Sequence, residues 1–176
     1  MRRRAFSFVA VAVFIASSLA WSQGKGVQVQ PEDKMAKFLP ATIFLDGENV
    51  PTQKRNAILV EINGKKTVLA LVDTTGYSSA YQQKYIGAIL TQASVKLGSL
   101  TLPAGAYGFG ETKEGEHDKA DVTVHVYDIG GKEVGTFATE READMKGVRP
   151  LQVKAAADGS AQLYLGPYHA ALAAGE

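Results

Sequence analysis

Hydrophobic and polar positions alternate through much of this chain with the two-residue period of β-strands. Val122-Thr123-Val124-His125-Val126 places three valines on one face and leaves Thr123, His125 and Tyr127 on the other. Asn56–Ile62 and Lys65–Asp73 flank Asn63-Gly64, a pair suited to a type I′ turn because both residues accept positive φ. That turn sets Ile62 opposite Lys65, Glu61 opposite Lys66, Val60 opposite Thr67 and Ile58 opposite Leu69. Val68–Val72 is apolar on both faces, which predicts a strand covered on both sides. A second hairpin turns at Gly130-Gly131, returns through Glu133–Thr139 and pairs Val124 with Phe137. A third turns at Asp158-Gly159. A three-residue loop, Asp158 to Ser160, pairs Val153 with Leu165 and Ala155 with Leu163, with Gly159 at positive φ.

Thr42–Leu45 is a further short strand closed by the turn pair Asp46-Gly47. Ile89–Leu97 and Leu100–Gly110 lie between the first two hairpins. Helical spacing is confined to Ser78–Ile86, where Ser78 is a suitable N-cap and Tyr77, Tyr81 and Tyr85 recur every four residues. Glu140–Lys146 is a weaker helix candidate. The pattern predicts an all-β chain, an antiparallel β-sandwich or partly closed barrel of nine or ten short strands with one short helix near residues 78–86.

The first residues follow a different rhythm. A basic start, Arg2-Arg3-Arg4, precedes an apolar run over 5–20 that closes on small residues. This is the order of a secretory signal peptide, over 1–22, with cleavage after Ala20 or Ser22. The run is too short for a stable membrane span, so none is expected after cleavage. Residues 23–37 are polar and predict a flexible lead-in. The β-sandwich domain is expected over 38–172, with a tail over 173–176. The address that follows is periplasmic or extracellular.

Removing Arg2, Arg3 and Arg4 takes the formal charge from +1 to −2. A near-neutral mature chain carries no overall electrostatic footprint for nucleic acid. With no cysteine, an exported domain must be held by packing alone, and thiolate chemistry is excluded.

Candidate chemistry is sparse. Leu69–Ser79 runs from an apolar strand into Asp73-Thr74-Thr75-Gly76, similar to the Asp-Thr-Gly loop of aspartic proteases, where two carboxylates share a proton. Here the loop is one residue longer and present once. The simpler reading makes Asp73 or Thr74 the start of a turn and Ser78 a helix cap. Asp73 is therefore the sole candidate catalytic residue, belonging to the alternative reading of a secreted hydrolase. His117, His125 and His169 lack the short spacing of a metal motif, and the acidic loop Glu114, Glu116, His117 and Asp118 reads as a solvated loop. No cofactor motif is present. Tyr77, Tyr81 and Tyr85 form the candidate binding surface, against the simpler reading that this helix face packs over an open end of the sheet.

Leu97–Phe109, with Leu71–Ser79 and Leu163–Gly166, resembles segments of uncharacterised exported bacterial β-sandwich proteins. The resemblance spans about residues 43–168 and implies export and a β-sandwich, with Gly105 in a turn and Tyr107 anchoring the next strand. It carries no activity. The expectation from sequence is an exported non-catalytic module that binds an unidentified ligand or envelope partner.

Overall fold

The computed structural model describes residues 26–115, 121–143 and 147–175. Its strands are β1 (Val27–Val29), β2 (Thr42–Leu45), β3 (Glu48–Ile62), β4 (Lys65–Val72), β5 (Gly87–Thr91), β6 (Val95–Leu97) and β7 (Leu100–Leu102). They continue as β8 (Gly105–Glu114), β9 (Asp121–Asp128), β10 (Glu133–Arg141), β11 (Leu151–Ala155), β12 (Ala161–Leu165) and β13 (Tyr168–Ala174). Two short helices accompany them, α1 (Glu32–Met35) and α2 (Ser79–Lys84). All strand pairs are antiparallel, and the main path runs β1-β3-β4-β5-β8-β9-β10-β13-β12-β11. The path curls until its two ends meet, where the Val27 N–H donates to the Gly159 carbonyl at 3.2 Å. The fold is an all-β, nearly closed barrel.

The first hairpin forms in the register that Asn63-Gly64 dictates. Ile62 faces Lys65, Val60 faces Thr67 and Ile58 faces Leu69, with φ of 50° at Asn63 and 75° at Gly64. The second pairs Val124 with Phe137 as expected, but the ladder slips between Glu133 and Gly135. The slip arises because the Asp128 carboxylate accepts from the N–H groups of Gly130 and Lys132, at 2.9 and 3.0 Å, which widens the turn. The third hairpin corrects the predicted register by two residues. Val153 faces Leu163 and Leu151 faces Leu165. The loop is longer because Gly159 N–H closes on the Ala156 carbonyl and Ser160 bonds the Asp158 carboxylate. A two-residue shift preserves which side chains face inward, so the apolar pattern cannot distinguish the two registers.

Other expectations are corrected at the edges. Part of the expected lead-in is ordered into the fold: Val27–Val29 pairs with β3, and Met35 is buried; residues 23–25 lie outside the described residues. Residues 173–174 belong to β13, paired with Lys96 and Val95, so the domain does not end at residue 172. The helix expected from Glu140 begins instead as strand, because Glu140 and Arg141 pair with β13; residues 144–146 lie outside the described residues. Among the described residues there are thirteen strands and two helices, where the pattern predicted nine or ten strands and one helix. The extra elements are three or four residues long, too short to show a period.

The barrel interior is filled by side chains that include Val60, Leu69, Ile89, Leu97, Phe109, Val124, Phe137 and Leu163. β4 is covered on both faces, as its sequence predicts. Leu69 points into the barrel, while Val68 and Ala70 meet Met35 and Leu39 outside it. The β2–β3 hairpin folds over the exterior with α2, burying Ile43, Leu45, Val50, Val72 and Tyr85.

Candidate functional site

The tyrosine stripe is held together, but it faces inward. Ser78 caps α2 by accepting from the Tyr81 N–H at 3.3 Å. Tyr77, Tyr81 and Tyr85 then stack in series, with ring centroids 5.0 and 4.8 Å apart. Their hydroxyls reach the β2–β3 hairpin. Tyr77 donates to the Asn49 carbonyl at 3.0 Å and Tyr81 to the Leu45 carbonyl at 2.8 Å. Tyr85 is fully buried and stands 3.4 Å from the Asp46 carboxylate. Lys84 completes the cluster by bonding Asp46 and the Gly131 carbonyl, both at 2.8 Å. The stripe fastens a hairpin to the barrel and is not a free surface.

Burial holds the Tyr81 and Tyr85 phenols above their ordinary range. At Tyr81 the neighbouring tyrosines add to the effect, and at Tyr85 the Lys84 ammonium opposes it. At Lys84 burial acts to lower the ammonium's pKa, but hydrogen bonds to Asp46 and Tyr85 leave it raised. All three groups hold protons more tightly when folded. Their contribution to stability is complete below about pH 10 and is lost as pH rises through the folded values. In an alkaline titration, phenolate absorbance from Tyr81 and Tyr85 is therefore expected to develop together with loss of the β-sheet circular dichroism. Ordinary tyrosine titration with the sheet signal unchanged would contradict this packing.

Asp73 stands exposed at the end of β4. Its Oδ1 accepts from the Thr75 N–H at 3.0 Å, and hydrogen bonding from Thr75 lowers its pKa. This is a turn-forming aspartate, the simpler of the two sequence readings. Among the described residues no three His, Cys, Asp or Glu side chains converge as metal ligands. His169 packs against Tyr164, with ring centroids 5.1 Å apart. Glu116, His117 and Asp118 lie outside the described residues.

Sequence reasoning missed a chain of polar groups across β8, β9 and β10. The Thr112 hydroxyl is 3.0 Å from His125 Nε2, and His125 Nδ1 is 2.8 Å from the Glu133 carboxylate. The order of groups matches a nucleophile triad. Here they form a rung on the outer face of neighbouring strands, and none of them lines the groove described next.

The second feature missed is the seam where the barrel fails to close. β2 and β1 both pair with the edge of β3 opposite β4, leaving residues 53–58 without a strand partner on that edge. β11 pairs only with β12. A groove of about 360 Å³ opens between these two edges. Lys54, Arg55 and Arg149 bring three cations to its lining and Glu32 brings one carboxylate. The lining also includes Gln30, Asn56 and Gln152, with Val29, Ile58, Leu151 and Val153 as its apolar part. The ion pairs among the described residues lie elsewhere, at Lys84–Asp46, Lys113–Glu111, His125–Glu133 and Lys154–Glu142. None involves Lys54, Arg55 or Arg149. The cations sit about 95 positions apart in sequence, so only barrel curvature brings them together.

Comparison with known proteins leaves this geometry to speak for itself. No family model, curated protein or solved structure matches the chain. The groove, the triad-like rung and the tyrosine cluster are thus weighed on their own chemistry. Of these, the groove joins concavity, excess positive charge and unpaired strand edges. No helix among the described residues is long and apolar enough to cross a membrane.

Proposed function

We propose that the chain is an exported, non-catalytic binding module whose ligand is anionic and sits in the seam between β3 and β11. One observation carries the reading: Lys54, Arg55 and Arg149, which join none of the ion pairs among the described residues, line the groove at the seam together. Such a concentration stands out against a chain whose formal charge becomes −2 without the leader arginines. Like charges gathered along a concave groove attract counter-charge more strongly than the same charges spread over an open surface. The basic start, apolar run and small residues of 1–22 support export. Association with the envelope is the setting in which such a groove meets its partner.

The test is calorimetry with the purified mature chain and three probes: oligoglutamate, oligogalacturonate and a short single-stranded oligonucleotide. At least one probe is expected to bind saturably, more weakly as added salt screens the groove. An Arg55→Gln/Arg149→Gln double variant is expected to lose about tenfold in affinity, at about 0.7 kcal/mol for each exposed charge pair lost. Both arginines are exposed, so the variant is expected to fold as the parent does. No binding by any of the probes, or equal binding by the variant, would overturn the proposal.

A further inference from the structure

A second concavity, of about 220 Å³, opens at one end of the barrel. Leu71 near the end of β4 and Ile86 just ahead of β5 line one side of it, and Leu165 and Tyr168, flanking the β12–β13 turn, line the other. Along the sheet path β8, β9 and β10 separate β5 from β13. A cavity that joins these strands is therefore the mouth of the lumen, a common place for a ligand. Interior positions of a barrel strand alternate with exterior ones. Along β8 the interior positions are Tyr107 and Phe109, both in the core, and then Glu111 and Lys113. Across the ladder Phe109 faces Val126, Glu111 faces Val124 and Lys113 faces Val122, and all three valines are buried. The apolar pattern of the lumen thus gives way to two charges at its end.

Lys113 Nζ lies 2.9 Å from Glu111 Oε1 and 5.8 Å from the centroid of the Tyr168 ring. The Glu111 side chain is 20 % exposed. Apolar residues in place of a largely buried ion pair are often neutral or stabilising, so packing alone does not account for this one. The charges and the walls together select a ligand. A lone carboxylate brought to Lys113 meets Glu111 as a like charge, and a lone amine brought to Glu111 meets Lys113 in the same way. A zwitterion meets both with opposite charge. Its carboxylate accepts from the Lys113 ammonium while its own ammonium donates to the Glu111 carboxylate, a square with like charges on the diagonals. An ammonium has three donors and a carboxylate about four acceptor sites, so the Glu111–Lys113 contact need not break. Beyond the pair, Leu71, Ile86 and Leu165 supply apolar wall. At about 30 Å³ per heavy atom, the share of a water molecule in the liquid, the cavity holds about seven atoms. That suits a branched aliphatic side chain and is too little for a long acyl chain or a sugar polymer.

We infer that the barrel mouth is a binding site for a free α-amino acid with an aliphatic side chain. Glu111 and Lys113 hold its two charged groups, and Leu71, Ile86 and Leu165 receive its side chain. The site is separate from the seam groove, with which it shares Pro150 alone among its lining residues, and it uses none of the seam's cations.

The experiment titrates the isotope-labelled mature chain by NMR with free leucine, isocaproate, isopentylamine and glycine. Leucine is expected to bind saturably and to shift the methyl resonances of Leu71, Ile86 and Leu165, leaving those of Val29 and Val153 in the seam in place. Isocaproate lacks the ammonium and isopentylamine lacks the carboxylate; each is expected to bind about fivefold more weakly, the scale of one partly exposed charge pair. Glycine lacks the side chain and is expected to bind more weakly than leucine. Glu111→Gln keeps the side-chain shape and is expected to weaken leucine about fivefold while tightening isocaproate, opposite changes that a loss of packing would not produce. If that variant fails to fold, the ligand series on the parent decides. No saturable shift with leucine, shifts confined to residues outside the mouth, or equal binding of leucine and isocaproate by the parent would overturn the inference and leave the seam reading untouched.

Discussion

Tyr85→Ala is expected to destabilise the domain by about 3–5 kcal/mol, the cost of deleting a large buried aromatic side chain. The ring is fully buried and packs in one cluster with Ile43, Leu45, Val50, Val72 and Ala88. It meets Tyr81 at 4.8 Å and Tyr127 edge-on at 5.4 Å, while the Lys84 ammonium lies 5.1 Å from its centroid. Removing it takes away the contact through which α2 and the β2–β3 hairpin hold each other. Tyr85→Phe keeps the ring and gives up a long hydroxyl contact of 3.4 Å. Its expected cost is about 1 kcal/mol or less. Urea unfolding of the three proteins checks the contrast. If the alanine variant unfolds within about 1 kcal/mol of the parent, the cluster does not hold the hairpin. This pair of variants also separates packing from recognition, since a ligand-binding tyrosine could be lost with little effect on stability.

What the sequence made legible follows from how locally each feature is determined. Asn63-Gly64 fixes its own turn, so the whole β3–β4 register could be written down from two residues. The two-sided apolar run in β4 likewise announced that both faces are covered, though not by what. Residue spacing placed Tyr77, Tyr81 and Tyr85 on one face. It could not say whether that face is free or covered, because the covering hairpin is set by Asp46-Gly47 some thirty residues upstream. The third hairpin went astray because two registers bury the same apolar face, and only the Asp158–Ser160 bonds choose between them. The seam was the least visible feature. Its edges are defined by which strands do not pair, and its cations come from opposite ends of the sheet path.

Gly110→Ala is the companion result, with an expected loss of about 3 kcal/mol, at the upper end for overpacking because the obstacle is backbone. A Cβ at this position of β8 would lie 2.8 Å from the Lys84 carbonyl carbon and closer still to its oxygen. Lys84 is the last residue of α2, and its carbonyl cannot swing aside as a flexible side chain would. Two residues earlier in the strand, a Cβ at Gly108 would stand 2.6 Å from the Tyr85 ring. Gly108 and Gly110 thus clear a shelf on β8 against which the end of α2 rests, the close approach that a strand glycine permits. This explains the sequence Gly108-Phe109-Gly110: the glycines face the helix and Phe109 fills the barrel. The variant is expected to raise hydrogen exchange first in α2 and the β2–β3 hairpin, with the β9–β10 amides less affected. Unchanged protection across α2 would show that the helix does not depend on the shelf. The seam lies outside this α2 contact, so a Gly110→Ala protein that remains folded is expected to bind the anionic probes as the parent does. A parallel loss of binding would show that the groove and the tyrosine cluster are coupled.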